Sequence, residues 1–173
     1  TRRSSDLTAK EGLQLLTQGL RAVKADPADV TARAACQVGM WLAISGPSSG
    51  VPVGASHAIG RVLGGAFGVP HGETSCVLLP AALRWNAAAE DRRQAEIPTL
   101  MGETGGQTAA ECVAALIGEL GLPTRLRDVG VDRTAFEEIA GKSLVMCGQR
   151  LTAGNIRPVR SAEDVLEILD LAE

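Results

Sequence analysis

The sequence predicts an all-α protein, an irregular bundle of about six to eight helices in one domain over residues 1–173. Apolar residues recur at helical spacing, as at Leu13, Leu16 and Leu20, which is typical of an amphipathic helix. Strict alternation of polar and apolar residues never lasts for a strand's length, and aromatic residues make up only 2% of the chain. At 173 residues and 45% hydrophobic composition, the chain can bury one sizeable core.

The first two helices are predicted over residues 5–24 and from Asp26 to about Ser45. The sequence TAKE from Thr8 to Glu11 has the form of a capping box near the start of the first helix. Asp26 is placed to cap the second helix, whose first turn can hold Pro27 without losing a needed hydrogen bond. The stretch SGPSSGVPVG that follows is dense in glycine, proline and serine and predicts a loop.

Two further helices flank a glycine-rich bend. The third is predicted to begin near Val53 and to place His57 and Arg61 on one face, because residues four apart stack on a helix. The stretch GGAFGVP ends it and predicts a bend that lets two helices approach closely. A fourth helix is predicted to begin at His71 and to end at about Glu90.

Pro80 is expected to kink this fourth helix, because proline lacks a backbone donor and clashes with the preceding turn. The last helices are predicted over residues 108–120, 132–145 and 162–171. The first of these stops at the glycine of GLP, and Ser161 is a good cap for the last one.

Composition argues against two classes of partner. With 17 Lys+Arg against 20 Asp+Glu and no basic cluster with interleaved aromatics, nucleic-acid binding is not expected. The longest apolar runs fall short of the roughly 20 residues that span a bilayer, so no membrane segment is expected. The cysteines are scattered through apolar stretches and predict buried free thiols in a cytoplasmic protein: Cys36, Cys76, Cys112 and Cys147.

The chain's two histidines, His57 and His71, lie 14 residues apart on either side of the glycine-rich bend. A catalytic divalent metal needs neutral imidazole or carboxylate ligands on rigid elements and an open position for substrate. Both imidazoles could bind one ion if the bend folds the two helices together. They make only half a site, however, and Glu73 is expected to point away from His71 on a helix.

The spacing also allows a structural interpretation. An isolated pair of histidines in a helical protein can serve as a cap, as surface groups or as core residues with satisfied hydrogen bonds. Glu73, Thr74 and Ser75 are expected in the first turn of a helix, where the dipole favours them. Met40, Trp41 and Trp85 are predicted to belong to the core.

Residues 54–86 resemble the metal-binding segment of the iron-containing (group III) alcohol dehydrogenases, especially their maleylacetate reductase-like branch. In that pattern a helical histidine is followed 14 residues later by Pro-His, then by Leu-Pro and an aromatic-Asn pair. The elements that match in order are His57, Pro70-His71, Leu79-Pro80 and Trp85-Asn86. The stretches GLPTRLRDVGV and NIRPVRSAEDVLEIL also resemble the family's carboxyl-terminal half.

The resemblance implies a two-domain enzyme with its active site between the domains. An amino-terminal domain would bind NAD(P)H, and a helical domain would supply His57 and His71 as ligands for Fe²⁺ or Zn²⁺. Hydride would pass between the nicotinamide and a small alcohol, aldehyde or keto-acid substrate, such as a maleylacetate-like compound. The family's other two ligands and its nucleotide-binding loop are absent from this sequence, so residues 1–173 alone are not expected to be active. A homodimer would be common for such a family.

Arg61 departs from the family pattern, in which a second histidine commonly follows the first ligand by one helical turn. Arg61 could bind a carboxylate of an acidic substrate, because a guanidinium pairs with a carboxylate through two parallel hydrogen bonds. The alternative is that Arg61 turns outward into solvent.

Two other functions remain open from the sequence. One is the glycerol dehydrogenase or dehydroquinate synthase branch of the same fold, where His-Gly-Glu also occurs at a metal ligand, although LLPAALRWN argues against it. The other is a non-catalytic helical module that binds a partner or forms oligomers. Arg61 and the missing ligands favour this second alternative.

Overall fold

The computed structural model describes residues 2–89 and 92–173, and in these ranges it contains eight α-helices and no β-strand. The all-α prediction is therefore confirmed. The helices are α1 (Arg2–Ala25), α2 (Val30–Ser48), α3 (Ala55–Phe67), α4 (His71–Asn86), α5 (Arg92–Leu100), α6 (Ala109–Leu120), α7 (Phe136–Ala153) and α8 (Ala162–Asp170). Short 3₁₀ turns occupy Ala87–Ala89, Leu126–Val129 and Arg133–Ala135.

Two predicted caps near the start of the chain are wrong. Helix α1 is already formed at Arg2, so Thr8 lies inside it, and the Thr8 hydroxyl is 2.9 Å from that of Ser45 on α2. The cap of α2 is Asp29, whose carboxylate accepts a hydrogen bond from the Ala32 N–H at 2.9 Å. Asp26 instead accepts from the Ala28 N–H and closes the turn between the two helices.

Later boundaries follow the sequence more closely. Thr108 and Ser161 cap α6 and α8 through complete capping boxes, and Gly121 ends α6 in the left-handed conformation with φ of 73°. Helix α4 continues through Pro80 and ends at Asn86, earlier than predicted, and Glu90 lies outside the described residues. The sequence patterns did not predict α5.

The hydrophobic core lies between α3, α4, α7 and α8. Its largest fully buried side chains are Ile59, Leu63, Leu78, Leu126, Ile139, Ile168 and Leu169. The predicted core position of Trp85 is confirmed, since this side chain is only 3% exposed. Its indole N–H donates to the Glu167 carboxylate at 2.9 Å, which satisfies the one polar atom of the buried ring.

Helices α1 and α2 form a hairpin that packs through small residues. A Cβ atom at Gly12 would lie 2.8 Å from the Gly39 carbonyl oxygen, so the two backbones are in direct contact at this crossing. The opposite face of α2 is exposed, and the core positions predicted for Met40 and Trp41 are wrong: these side chains are 53% and 74% exposed. The reason is geometric, because Gly39 faces α1 and the residue two positions later lies on the far side of the helix.

Polar contacts connect the hairpin to α5 and α6. The Arg21 guanidinium donates to Glu119 at 2.7 Å and to Glu103 at 2.9 Å. The Lys24 ammonium donates to the carbonyl oxygen of Leu120 at 2.9 Å, at the carboxyl end of α6. Lys10 forms an ion pair with Glu96 on α5.

Among the described helices, none combines the length and the apolar composition that crossing a membrane would require. All four cysteines are free thiols. Cys112 and Cys147 are buried as expected, whereas Cys36 and Cys76 are half-buried.

Candidate metal centre

The turn between α3 and α4 depends on one glycine. Gly68 has φ of 70°, a left-handed conformation that a side chain would strain. The N–H groups of Gly68 and Val69 both donate to the Leu63 carbonyl oxygen, which closes the end of α3. Val69 is buried and anchors the turn on the core, and Pro70 is the N-cap residue of α4. The predicted bend is present but shorter than expected: α3 continues through GGAF to Phe67, and only residues 68–70 form the turn.

Helices α3 and α4 approach most closely at Gly60 and Thr74. A Cβ atom at Gly60 would lie 3.0 Å from the Thr74 hydroxyl oxygen, which is closer than side chains normally pack. That hydroxyl donates to the His71 carbonyl oxygen at 2.7 Å, and Thr74 is 1% exposed. Because Gly60 has no side chain, α3 leaves room for the Thr74 hydroxyl, which is hydrogen-bonded to the backbone of His71.

This crossing places the two imidazoles together. The ring centroids of His57 and His71 are 5.3 Å apart, and the ring planes make an angle of 87°. Metal–nitrogen bonds of about 2.0–2.1 Å put two imidazole centroids on one tetrahedral ion roughly 5 Å apart. The donor set thus fits a shared transition-metal ion, and neutral imidazole is a ligand that both Fe²⁺ and Zn²⁺ accept.

The two histidines do not complete a metal site within the part of the chain that the structure describes. No group of three or more His, Cys, Asp or Glu side chains converges there in a way that could hold an ion. His57 is half-buried and His71 is exposed. The assignment of His57 and His71 as ligands stays a prediction that this geometry supports.

Cys76 lies on the same helix as His71, and it is half-buried. Burial raises the pKa of the Cys76 thiol, and the negative charge of Glu73 raises it further. Glu73 itself is half-buried in the first turn of α4.

Arg61 lies four residues after His57 on α3, and its side chain is exposed. Among the described residues, no carboxylate is within ion-pair distance of its guanidinium. The structure therefore places Arg61 on the solvent side of α3, where a ligand carboxylate can reach it. The proposed carboxylate contact of Arg61 stays a prediction.

The described residues thus form an all-helical bundle that brings two imidazoles together near the starts of two crossing helices. Residues 3–172 match the family described as Fe-containing alcohol dehydrogenase family, C-terminal. The chain belongs to this family.

Individual relatives agree with this assignment. Maleylacetate reductase from Burkholderia cepacia is 34% identical over 133 residues, which cover 76% of this chain and 36% of that protein. 1,3-Propanediol dehydrogenase from Klebsiella pneumoniae is 34% identical over 148 residues, 81% of this chain and 38% of that protein. A crystal structure of iron-containing alcohol dehydrogenase from Corynebacterium glutamicum is 30% identical with a TM-score of 0.82, covering 97% of this chain and 45% of that one. The chain spans less than half the length of each.

Sequence reasoning identified both histidines but missed the residues that support them. Thr74 was expected only as a first-turn residue favoured by the dipole, whereas its hydroxyl bonds the His71 carbonyl oxygen. Gly60 is one of several glycines in α3, and nothing in its local pattern separates it from Gly65, beside which there is open space. Asn155 lies in a stretch noted only for its family resemblance, yet its side chain reaches the start of α3.

Proposed function

We propose that this chain is the helical metal-binding part of an NAD(P)-linked oxidoreductase that interconverts small alcohols with aldehydes or ketones, keto acids included. The observation that carries the proposal is the convergence of His57 and His71 to 5.3 Å between ring centroids. Membership of the Fe-containing alcohol dehydrogenase family supports it. The remaining metal ligands and most of the NAD(P)H site would come from a part of the enzyme outside residues 1–173.

The chain's own residues would act on the metal and on the substrate. His57 and His71 would hold Fe²⁺ or Zn²⁺, and the Thr74 hydroxyl fixes the backbone from which His71 projects. When bound, the ion supplies Lewis-acid polarisation of the substrate oxygen for hydride transfer to or from the nicotinamide. Since His71 is exposed, the substrate would approach from the open side of the helix pair.

The metal assignment is tested by titrating the complete enzyme, which supplies the remaining ligands, with Co²⁺, whose visible absorption reports nitrogen ligation. His57→Ala and His71→Ala should each weaken Co²⁺ binding by roughly tenfold or more, since loss of a mere supporting residue already costs about 10- to 100-fold. Ser56→Ala, on the same helix beside His57, is the matched control and should change the dissociation constant less than about twofold.

Co²⁺ binding that survives both histidine substitutions would contradict the proposal. A protein without a histidine-dependent site would fit the alternative of a non-catalytic helical module. The exposed apolar residues of α2 are compatible with that alternative.

Arg61 provides a test of the substrate class. Maleylacetate reductases and 1,3-propanediol dehydrogenases both occur among the relatives, so acidic and neutral substrates are both represented. In the complete enzyme, Arg61→Ala should raise KM for a keto-dicarboxylate about tenfold or more, because a charged hydrogen bond contributes about 1.5–3 kcal/mol. KM for a simple alcohol should stay within about twofold.

Arg84→Ala is the control for this experiment, because it removes another exposed arginine, on the neighbouring helix α4. Equal effects of Arg61→Ala on both substrates would show that the guanidinium does not recognise a carboxylate. The proposed metal site would stand in that case.

A further inference from the structure

The helix that carries His57 begins without a capping side chain of its own. The N-cap residue of α3 is Gly54, and it makes no side-chain hydrogen bond to the first turn. A helix start leaves its first N–H groups without helical acceptors, and their satisfaction fixes the direction of the first turn. His57 lies in that first turn, two residues after Ala55.

Asn155 supplies the missing acceptor from a distant part of the chain. Its Oδ1 accepts a hydrogen bond from the Ala55 N–H at 3.0 Å, between residues 100 positions apart. Its Nδ2 donates to the Asn86 Oδ1 at 2.6 Å and to the Arg157 carbonyl oxygen at 2.7 Å. A backbone donor on one side and a backbone acceptor on the other fix the orientation of the amide. Asn155 is 8% exposed, so water does not readily replace these bonds.

Gly54 is matched to this arrangement. A Cβ atom at Gly54 would lie 2.7 Å from the Asn155 Oδ1, a distance that side-chain carbons do not tolerate. The backbone of Gly54 has φ of −87° and ψ of −163°, which other residues adopt without strain. The glycine is therefore required for space, and the oxygen of Asn155 occupies the position of the absent cap.

We infer that Asn155 is a positioning residue for His57: by capping α3 at Ala55, it sets the direction in which the His57 imidazole meets that of His71. The inference rests on the proposed function for its consequence, which is metal affinity. The same amide also bonds Asn86 on α4, so it connects the start of one histidine-bearing helix to the end of the other. No other described side chain is hydrogen-bonded to the Ala55 N–H.

The experiment compares three variants of the complete enzyme. Asn155→Ala removes the acceptor, and Gly54→Ala displaces the acceptor while leaving Asn155 in place. Thr108→Ala is the matched control, because it removes a side-chain cap from the start of another helix, α6, and leaves the Ala55 N–H bond. The measurements are hydrogen exchange of the Ala55 amide, the imidazole proton resonances of both histidines in the metal-free chain, and the Co²⁺ dissociation constant.

Asn155→Ala and Gly54→Ala should both accelerate Ala55 exchange, shift the His57 resonances more than those of His71, and weaken Co²⁺ binding about tenfold. Thr108→Ala should change the Co²⁺ dissociation constant less than about twofold. Unmoved His57 resonances in both Asn155→Ala and Gly54→Ala would overturn the inference. So would an effect of Thr108→Ala equal to that of Asn155→Ala, since the cause would then be general stability.

The two proposals can fail separately. If Co²⁺ binding by the unaltered complete enzyme does not depend on both histidines, the proposed function is wrong. Positioning of His57 is then decided by the metal-free measurements alone.

Discussion

The hairpin of α1 and α2 and the crossing of α3 with α4 both use glycine to bring helices close, yet they differ in what surrounds the contact. At Gly12 the neighbouring atoms belong to the backbone of α2, whereas at Gly60 the nearest atom is the Thr74 hydroxyl. Around Gly60 the same helices contribute fully buried side chains to the core, among them Ile59 and Leu63. None of the residues in the core cluster comes from α1 or α2 within the described ranges.

The difference teaches that a close helix crossing is not by itself a hydrophobic core. Apolar residues of α2 that would normally be buried face solvent instead: Val30, Val38, Met40, Trp41 and Ile44 are 53–76% exposed. The hairpin is held by shape fit and by polar contacts such as that of Arg21 with Glu119. The crossing that carries the histidine pair is instead supported by buried apolar area, which stabilises far more per residue than exposed polar contacts do.

The largest expected effect comes from a leucine pair that contrasts the two regions. Leu63→Ala should lower the free energy of unfolding by about 2–5 kcal/mol, because it empties a fully buried site. Leu7→Ala in α1 should change it by no more than about 0.5 kcal/mol, since this side chain is 69% exposed. Urea denaturation followed by circular dichroism measures both. Similar losses would show that the hairpin contains a core of its own.

An intermediate effect is expected at the glycine crossing of the hairpin. Gly12→Ala should destabilise the chain by about 1–3 kcal/mol, less the gain in helix propensity, because the added methyl meets backbone atoms that cannot rotate away. Gly118→Ala in α6 has open space around it and should stabilise by about 0.5–1 kcal/mol. The opposite signs of the two changes are the test. Stabilisation by both would mean that α1 and α2 separate easily.

The smallest effect concerns the ion pair that attaches the hairpin to α6. The hydrogen bond from Arg21 lowers the pKa of Glu119. The stabilisation of the folded chain by this bond is therefore fully present above the ordinary pKa of a glutamate carboxyl, and it is lost as pH falls through the lowered pKa. Arg21→Ala should therefore differ from the unaltered chain at pH 7 and converge with it in acid. The urea midpoint measured between pH 7 and pH 3 follows this difference.

Glu119→Gln is the matched variant for this measurement, because it keeps the shape of the side chain and removes its charge. It should show the same convergence, and high salt should reduce the difference at pH 7 because the pair is exposed. A difference that persists unchanged into acid would assign the role of Arg21 to packing.

Much of the fold could be predicted from the sequence because its signals are local. Helical periodicity and the glycines after α3 and α6 are read within one or two turns. The convergence of His57 with His71 depends on a short turn at positions 68–70, which the glycine and proline of GGAFGVP indicate. Such features need no knowledge of distant partners.

The failures have one physical cause, which is that a helix pattern does not say which neighbour covers each face. Trp41 has the composition of a core residue, but its face of α2 has no covering element among the described residues. Thr8 has the sequence of a cap, but the preceding residues continue the helix. Asn155 lies 100 residues from the amide that it caps, and no local signal connects the two.

The capping of Ala55 by Asn155 also bears on when the histidine pair is completed during protein synthesis. A nascent chain leaves the ribosome from its amino end, so α3 and α4 emerge well before residue 155 is added. Until residue 155 is added, the chain therefore presents the His57 imidazole on a helix whose first turn is still unfixed. The proposed site for the ion is accordingly complete only after this late asparagine has docked.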